Sequence, residues 1–306
     1  MISKSRMPAS AVLLALITIF LWSFLALLGS QVTHLPSVLV TGIALTTSGL
    51  LSSFMYKTWS IPLKTLMIGV GGIFGYHYLF FTAFRHAPVV EANLVNYLWP
   101  LLIVLLSPVI LSDHILKPHH LFGALMGLSG AGLIITGGRF SLDVDNMPGY
   151  LAAARAALVW ASYSLLTKRA PPFPTSAVGS FCLLSGVFSL VIYFAGGLIG
   201  QSTTLINILP MGSDWIYLVL LGIGPLGAAF FTWDAALKHG DPRIIGSLAY
   251  LTPLTSTLVL VMVGGKVFSW VSALAMLLIV AGALLGSLDL LRGWQGNQIS
   301  PSINQE

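Results

Sequence analysis

Apolar runs close to the ~20 residues that a helix needs to cross a bilayer recur along this 306-residue sequence from one end to the other. Bounded by proline, glycine and charge, they predict ten membrane-spanning helices near 9–29, 37–56, 64–86, 89–111, 118–137, 147–168, 175–198, 213–238, 241–264 and 267–291. The expected fold class is an all-α membrane protein. Charged residues make up only 8% of the chain, against roughly a quarter in a soluble domain, so no stretch is left to solvate a separate globular unit. The N-terminus, with Lys4 and Arg6 before an apolar run, mimics a signal peptide. That run continues through Trp22 to Gly29 without a small-residue cleavage site, which makes it the first span.

The net charge of +5 does not point to nucleic acid, because the basic residues are scattered through short loops instead of clustering on one face. They read as topology signals. With both termini cytoplasmic, Lys4, Arg6, Lys57, Lys64, Lys117, Lys168, Arg169, Lys238, Arg243 and Arg292 fall on the inner side. Arg85, Arg139 and Lys266 fall outside, and Arg155 lies within a span. The one cysteine, Cys182, has no intrachain partner, so neither a disulfide framework nor a cysteine metal site is expected.

The two halves resemble each other. Ala83-Phe-Arg-His86 recurs as Ala236-Leu-Lys-His239, and Asn96-Tyr-Leu-Trp-Pro100 recurs as Ala249-Tyr-Leu-Thr-Pro253, both at an offset of 153 positions (236 − 83 and 253 − 100). Leu21-Trp22 answers Val159-Trp160, and Ala131-Gly132 answers Ala281-Gly282. The division expected is a first repeat over 1–141 and a second over 142–306. Five spans is an odd number, so the second repeat enters the membrane inverted, and such repeats place a substrate site near the midplane between the halves.

In the fourth span Asn93, Asn96, Tyr97 and Pro100 share one face at i, i+3, i+4, i+7, bordered by Trp99. The ninth answers with Gly246, Ala249, Tyr250 and Pro253, so the tyrosine and proline are common to both halves and the amides are not. These groups either line a cavity or tie neighbouring helices together, with Pro100 and Pro253 as helix breaks. His77 lies midway along the third span beside Tyr76, Tyr78 and Phe80. An ionisable residue at that depth defaults to a functional reading. Trp160, Tyr163 and Ser164 share a face of the sixth span, and Trp22 holds the matching depth of the first. Candidate substrate-binding residues are therefore Tyr76, His77, Phe80, Asn93, Asn96, Tyr97, Trp99, Trp160, Tyr163 and Tyr250. Asp234 with Lys238, Glu91 and Arg155 read as structural or peripheral.

The ten spans, the inverted repeats, Trp22 with Trp160 and the Asn96-Tyr-Leu-Trp-Pro100 run resemble the drug/metabolite transporter superfamily of EamA type, with narrower likeness in Val95–Pro100, Phe231–Gly240 and Tyr250–Pro253, of which the fourth-span motif alone is specific. The resemblance implies export of aromatic and other neutral amino acids, and of some drug-like compounds, from the bacterial cytoplasm across the inner membrane. His77, Tyr97, Trp99 and Trp160 would by the same resemblance line the central cavity. Membrane lipid and a small-molecule substrate are the partners expected, with no nucleic acid and no cofactor; a monomer is one reading of the oligomeric state. Two alternatives stand beside it: an exporter of another small metabolite or drug, and a membrane enzyme acting on lipid-linked substrates with His77 as general base. Against the enzyme, the sequence holds no zinc-spaced His/Glu set, nucleophile elbow or phosphate-cradling loop.

Overall fold

The computed structural model of the protein describes residues 8–139, 143–198, 209–264 and 270–289. Lys4, Arg6, Lys266 and Arg292, used above for orientation, lie outside the described residues. The α-helices are α1 (Ala9–Ser23), α2 (Leu25–Ser30), α3 (Ser37–Leu51), α4 (Leu63–His86), α5 (Val89–Asn96), α6 (Leu98–Ile110), α7 (Pro118–Thr136), α8 (Met147–Arg169), α9 (Val178–Leu198), α10 (Asp214–Ile223), α11 (Ala229–His239), α12 (Pro242–Ala249), α13 (Leu251–Gly264) and α14 (Trp270–Gly286). No strand occurs among the described residues. Proline sets many of the starts: Pro8, Pro36, Pro62 and Pro88 stand just before α1, α3, α4 and α5, and Pro118, Pro148 and Pro242 open α7, α8 and α12. A first-turn N–H has no intrahelical acceptor, so proline loses nothing there.

Seven helical stretches are long and apolar enough to cross a membrane: Ala9–Ser30, Leu63–His86, Val89–Ile110, Pro118–Thr136, Thr175–Ala195, Asp214–His239 and Pro242–Val263. Ser37–Leu51 with Ser53–Trp59 makes an eighth if that pair, bent by 77°, is one span. The bend falls where the sequence predicts an unbroken helix over 37–56. There Ser52 Oγ turns back to Ser48 O and Gly49 O at 3.0 and 2.9 Å, a local bond that competes with helix continuation. Trp270–Gly286 is shorter, and α8 is not among the seven. Of its 23 residues α8 buries twelve against protein, and a helix so enclosed has less need of an apolar surface.

Glycine sets how closely the helices approach. A Cβ on Gly123 of α7 would lie 2.5 Å from Gly286 N and 2.7 Å from Gly282 O of α14, so these two backbones touch. Gly127 receives the ring of Tyr250, Gly72 that of Tyr163 and Gly69 that of Phe181. Exchanging the first five helical stretches for the last five carries the pairing of α4 with α8 onto that of α11 with α1, and α6 with α8 onto α13 with α1. The pairings of α3 with α9 and of α7 with α14 map onto themselves.

The ends of α8 show how the matched turns lie. At its start, a Cβ on Gly149 would meet Ala87 Cβ at 2.4 Å, so the His86–Pro88 turn is there. At its other end, about 35 Å away for a helix of this length, Lys168 Nζ donates to Leu237 O and Gly240 O at 2.6 and 2.8 Å, which brings in the equivalent turn. The basic residues gather at this second end. Lys117 pairs with Asp289 at 2.8 Å, Arg243 with Asp241 and Ile115 O, and Lys238 Nζ with Phe173 O at 2.9 Å. Thr58 meets Ser176 at 2.6 Å and so brings the Lys57 segment to the same end.

Candidate functional site

Four of the eight tryptophans in the sequence, each from a different helix, meet in the middle of the bundle. Trp22 of α1 stands 5.9 Å from Trp99 of α6, 6.1 Å from Trp160 of α8 and 5.2 Å from Trp233 of α11, centroid to centroid. Trp99 is also 6.4 Å from Trp160 and 5.6 Å from Trp233, both edge to face, an arrangement favoured by the ring quadrupoles. All four are buried. A second layer surrounds Trp160: Tyr76 at 5.1 Å, Tyr163 at 5.3 Å and Phe230 at 5.4 Å. Tyr76 stacks on Phe80, one turn along α4, at 5.6 Å and 14°, and lies 4.9 Å from the His77 ring. Spacings of three and four residues (Tyr76 and Phe80, Trp160 and Tyr163, Phe230 and Trp233) aim these rings from one face of each helix.

The polar groups here have defined roles. Trp233 Nε1 donates to Ser164 Oγ at 3.0 Å, and Trp22 Nε1 to Pro225 O at 3.2 Å. Pro225 belongs to a π turn, Gly224–Ala228, that separates α10 from α11, and such a turn shifts carbonyls out of the regular helix ladder. His77 Nδ1 lies 2.7 Å from Ile73 O. A carbonyl only accepts, so Nδ1 carries the proton and the neutral ring keeps its lone pair on Nε2. Asn96 Nδ2 donates to Tyr76 OH at 3.2 Å, which leaves the phenol's own proton to donate elsewhere. Asn96 Oδ1 is buried and has no hydrogen-bond partner among the described residues.

Near both prolines the helix is interrupted at equivalent tyrosines, while Pro100 and Pro253 themselves lie inside α6 and α13. The chain leaves the regular helix at Tyr97, between α5 and α6, and at Tyr250, between α12 and α13, three residues before Pro100 and Pro253. Proline has no N–H and its ring crowds the carbonyl four residues back, which breaks the ladder there. At the first break Leu101 N, whose regular partner would be Tyr97 O, donates instead to Tyr250 OH at 3.1 Å, and that hydroxyl lies 3.3 Å from Tyr97 O.

The structure thus gathers Tyr76, His77, Phe80, Asn96, Trp99, Trp160 and Tyr163 around one aromatic cluster. Tyr250 lies in the adjoining core with Leu101, Val104, Ala124, Leu254 and Ile279, and Tyr97 packs against its edge. Asn93, one turn before Asn96, is half-buried and outside the ring contacts. Trp233 and Phe230 are absent from the sequence-derived set. Their i, i+3 spacing, together with a fourth mid-span tryptophan, was the signal available.

Among the charged candidates, Asp234 is buried and accepts from Lys238 Nζ at 2.6 Å and Thr175 Oγ1 at 2.7 Å, while Lys238 also sits 3.5 Å from the Phe173 ring centre. Glu91 accepts from Tyr150 OH. Arg155 is exposed, and five residues from Trp160 is about 140° around a helix, so it faces away from the cluster. His119, His120 and Asp289 lie close enough to hold a cation. However, Lys117 N donates to His120 Nδ1 at 3.2 Å, which leaves an N–H, not a lone pair, on the Nε2 facing Asp289 Oδ2 at 3.5 Å.

The EamA-like transporter family model matches the chain twice, over residues 9–136 and 147–288. The chain is 40% identical over 289 residues to the aromatic amino acid exporter YddG of Ancylobacter novellus, covering 92% of this chain and 98% of that one. It is 28% identical over 226 residues to the aromatic amino acid exporter YddG of Escherichia coli, covering 69% and 71% of the two chains. A solved crystal structure 39% identical in sequence superposes with a TM-score of 0.83, covering 92% of this chain and 99% of that one. The chain belongs to the EamA-like transporter family and is a multi-pass membrane protein.

Proposed function

We propose that the protein exports aromatic and other neutral amino acids across the bacterial inner membrane by alternating access, with ten spans in two inverted five-span repeats and both termini cytoplasmic. The repeats are residues 1–141 and 142–306. Three observations support this architecture: the twofold family match, helix pairings that persist when the halves are exchanged, and equivalent turns at opposite ends of α8. Basic residues collected at the end carrying Lys168, Lys117 and Arg243 support a cytoplasmic assignment for that end.

The observation that carries the substrate reading is the unpaired Asn96 Oδ1 beside an aromatic cluster drawn from both halves. An α-amino acid brings an ammonium, a carboxylate and, in the aromatic members, a flat ring. Asn96 Oδ1 and His77 Nε2 are acceptors for the ammonium, the Tyr76 hydroxyl proton is a donor for the carboxylate, and Trp99 and Trp160 offer ring faces and edges. The rings touch in this structure, so substrate enters by separating them. The experiment is counterflow of labelled tryptophan, phenylalanine, leucine and tryptamine in proteoliposomes. Tryptophan and phenylalanine exchange is expected, lost about tenfold or more in Asn96→Ala because a hydrogen bond to a charged group is removed. Undiminished exchange in Asn96→Ala, or transport indifferent to loss of the substrate carboxylate, would reject the assignment.

A further inference from the structure

The two helix breaks are equivalent in sequence, 153 positions apart (250 − 97), yet their hydrogen bonds are not equivalent. Tyr250 hydroxyl stands inside the α5–α6 break, accepting from Leu101 N at 3.1 Å and lying 3.3 Å from Tyr97 O. The bond expected by symmetry, Tyr97 hydroxyl between Leu254 N and Tyr250 O, is not formed among the described residues, although Tyr97 packs against the same core. We propose that Tyr97 and Tyr250 form a reciprocal latch that sets which side of the membrane the cavity faces. In this conformation Tyr250 bridges the break of the first half; in the opposite-facing conformation Tyr97 bridges the break of the second and Tyr250 lets go. The inference rests on the inverted-repeat reading above.

The physical reason is the solvent. An open N–H and C=O pair in the hydrocarbon region has no water to bond, so a side-chain partner at a proline break there is stabilising. Two such breaks face one another, each next to a tyrosine from the other half. When inverted repeats exchange conformations, the asymmetric bond exchanges with them. The ring of Tyr250 fits against Gly127, where a Cβ would come within 2.5 Å, so the hydroxyl is held in register by its packing. Tyr250→Phe keeps that packing and removes only the bridge.

The test uses the full chain in nanodiscs with Cys182→Ser and two spin-label pairs at exposed positions. Phe54→Cys with Ile115→Cys reports one end, and Val89→Cys with Met211→Cys the other. Tyr250→Phe is expected to lower the population of the present arrangement about fivefold, the shift that one net hydrogen bond carries. Tyr97→Phe is expected to raise it by a similar factor, and the double variant to return near the parent. Shifts in the same direction, or no new distance in Tyr250→Phe, overturn the latch. Labelling of the same cysteines with an impermeant maleimide in spheroplasts checks the underlying reading separately. Phe54→Cys and Met211→Cys, in the equivalent connections α3–α4 and α9–α10 of the two halves, on one side of the membrane would reject the inverted repeat, whereas opposite sides with no tyrosine effect would reject the latch alone.

Discussion

Replacing Gly123 by alanine tests how the bundle is held together. A Cβ there would meet Gly286 N at 2.5 Å, Gly282 O at 2.7 Å and Gly286 Cα at 2.7 Å, all backbone atoms with no flexible side chain to yield. Restoring ordinary contact at roughly 3.5–4 Å requires α7 and α14 to part by about 1 Å. A gap of that size forfeits about a quarter to a half of each contact's ~0.1–0.2 kcal/mol. Spread over a few dozen atom pairs along this interface, the loss comes to about 1–3 kcal/mol, and in lipid no hydrophobic term offsets it. Gly71→Ala on α4 is the control, because nothing lies within 4 Å of its Cβ position. Temperature-dependent loss of the monodisperse peak in size-exclusion chromatography is a suitable assay. Gly123→Ala is expected to lose several degrees, and Gly71→Ala to match the parent or exceed it through better helix propensity. Equal thermal stability of Gly123→Ala and the parent would refute the close backbone contact.

Gly127→Ala pushes on the Tyr250 ring instead of on backbone, so it is expected to disturb the Tyr250–Leu101 bond and alter flux more than melting temperature, as counterflow and thermal stability run in parallel will show. Asp234→Ala leaves the Lys238 ammonium without its carboxylate in a largely buried setting and is expected to destabilise by about 3 kcal/mol or more; Asp234→Ala with Lys238→Met should recover much of that in the same chromatographic assay. Ser164→Ala removes the acceptor of the Trp233 indole, buried among the four tryptophans, and is expected to reduce tryptophan counterflow severalfold without loss of membrane expression measured by immunoblot. Burial raises the Asp241 carboxyl, but hydrogen bonds and charge from Arg243 outweigh it and hold the group below the usual carboxylate range. A depressed carboxylate contributes its stability above the unfolded value near ~3.9 and loses it as pH falls through the folded one. The melting difference between the parent and Asp241→Ala should therefore be constant from about pH 8 to 5 and shrink below about pH 4.

What the sequence made legible follows from where physics leaves a local mark. A proline marks its own helix through its missing N–H, so Pro100 and Pro253 drew attention by sequence, and the fold leaves the regular helix three residues before each, at Tyr97 and Tyr250. The Trp22, Trp99 and Trp160 group was legible because mid-span indoles are distinct from an interfacial belt. Trp233 and Phe230 escaped because their share in the site depends on how α11 is rotated, and the Gly224–Ala228 π turn that sets the rotation has no periodic signature. Tyr250 illustrates the reverse. Its place beside Pro253 was visible, but only the fold shows its hydroxyl committed to the backbone of the other half instead of the aromatic cluster. Gly123 and Gly127 carry no local mark of their partners, and only the fold places them against α14 and the Tyr250 ring.

The interruptions and the aromatic cluster occur together for a reason. α1 gives way to α2 at Phe24, two residues past Trp22; α5 to α6 at Tyr97, two before Trp99; and α10 to α11 at Gly224–Ala228, five before Trp233. At two of these breaks a backbone group at membrane depth takes its partner from a side chain of the other half: Tyr250 at the Tyr97 break and Trp22 at the π turn. Leaving such groups open in lipid costs several kcal/mol each, which favours motions of the halves that exchange partners over motions that lose them. Trp22 is the harder case, since the same indole touches the three other tryptophans. Parting these rings to admit substrate therefore strains the Trp22–Pro225 bond, which links occupancy of the cluster to the geometry of α10 and α11. Trp22→Phe keeps a ring in the cluster and removes that link. It should leave tryptophan binding within a few-fold of the parent while uncoupling binding from exchange. Binding and counterflow that fall together in Trp22→Phe would show that the indole bond carries no such coupling.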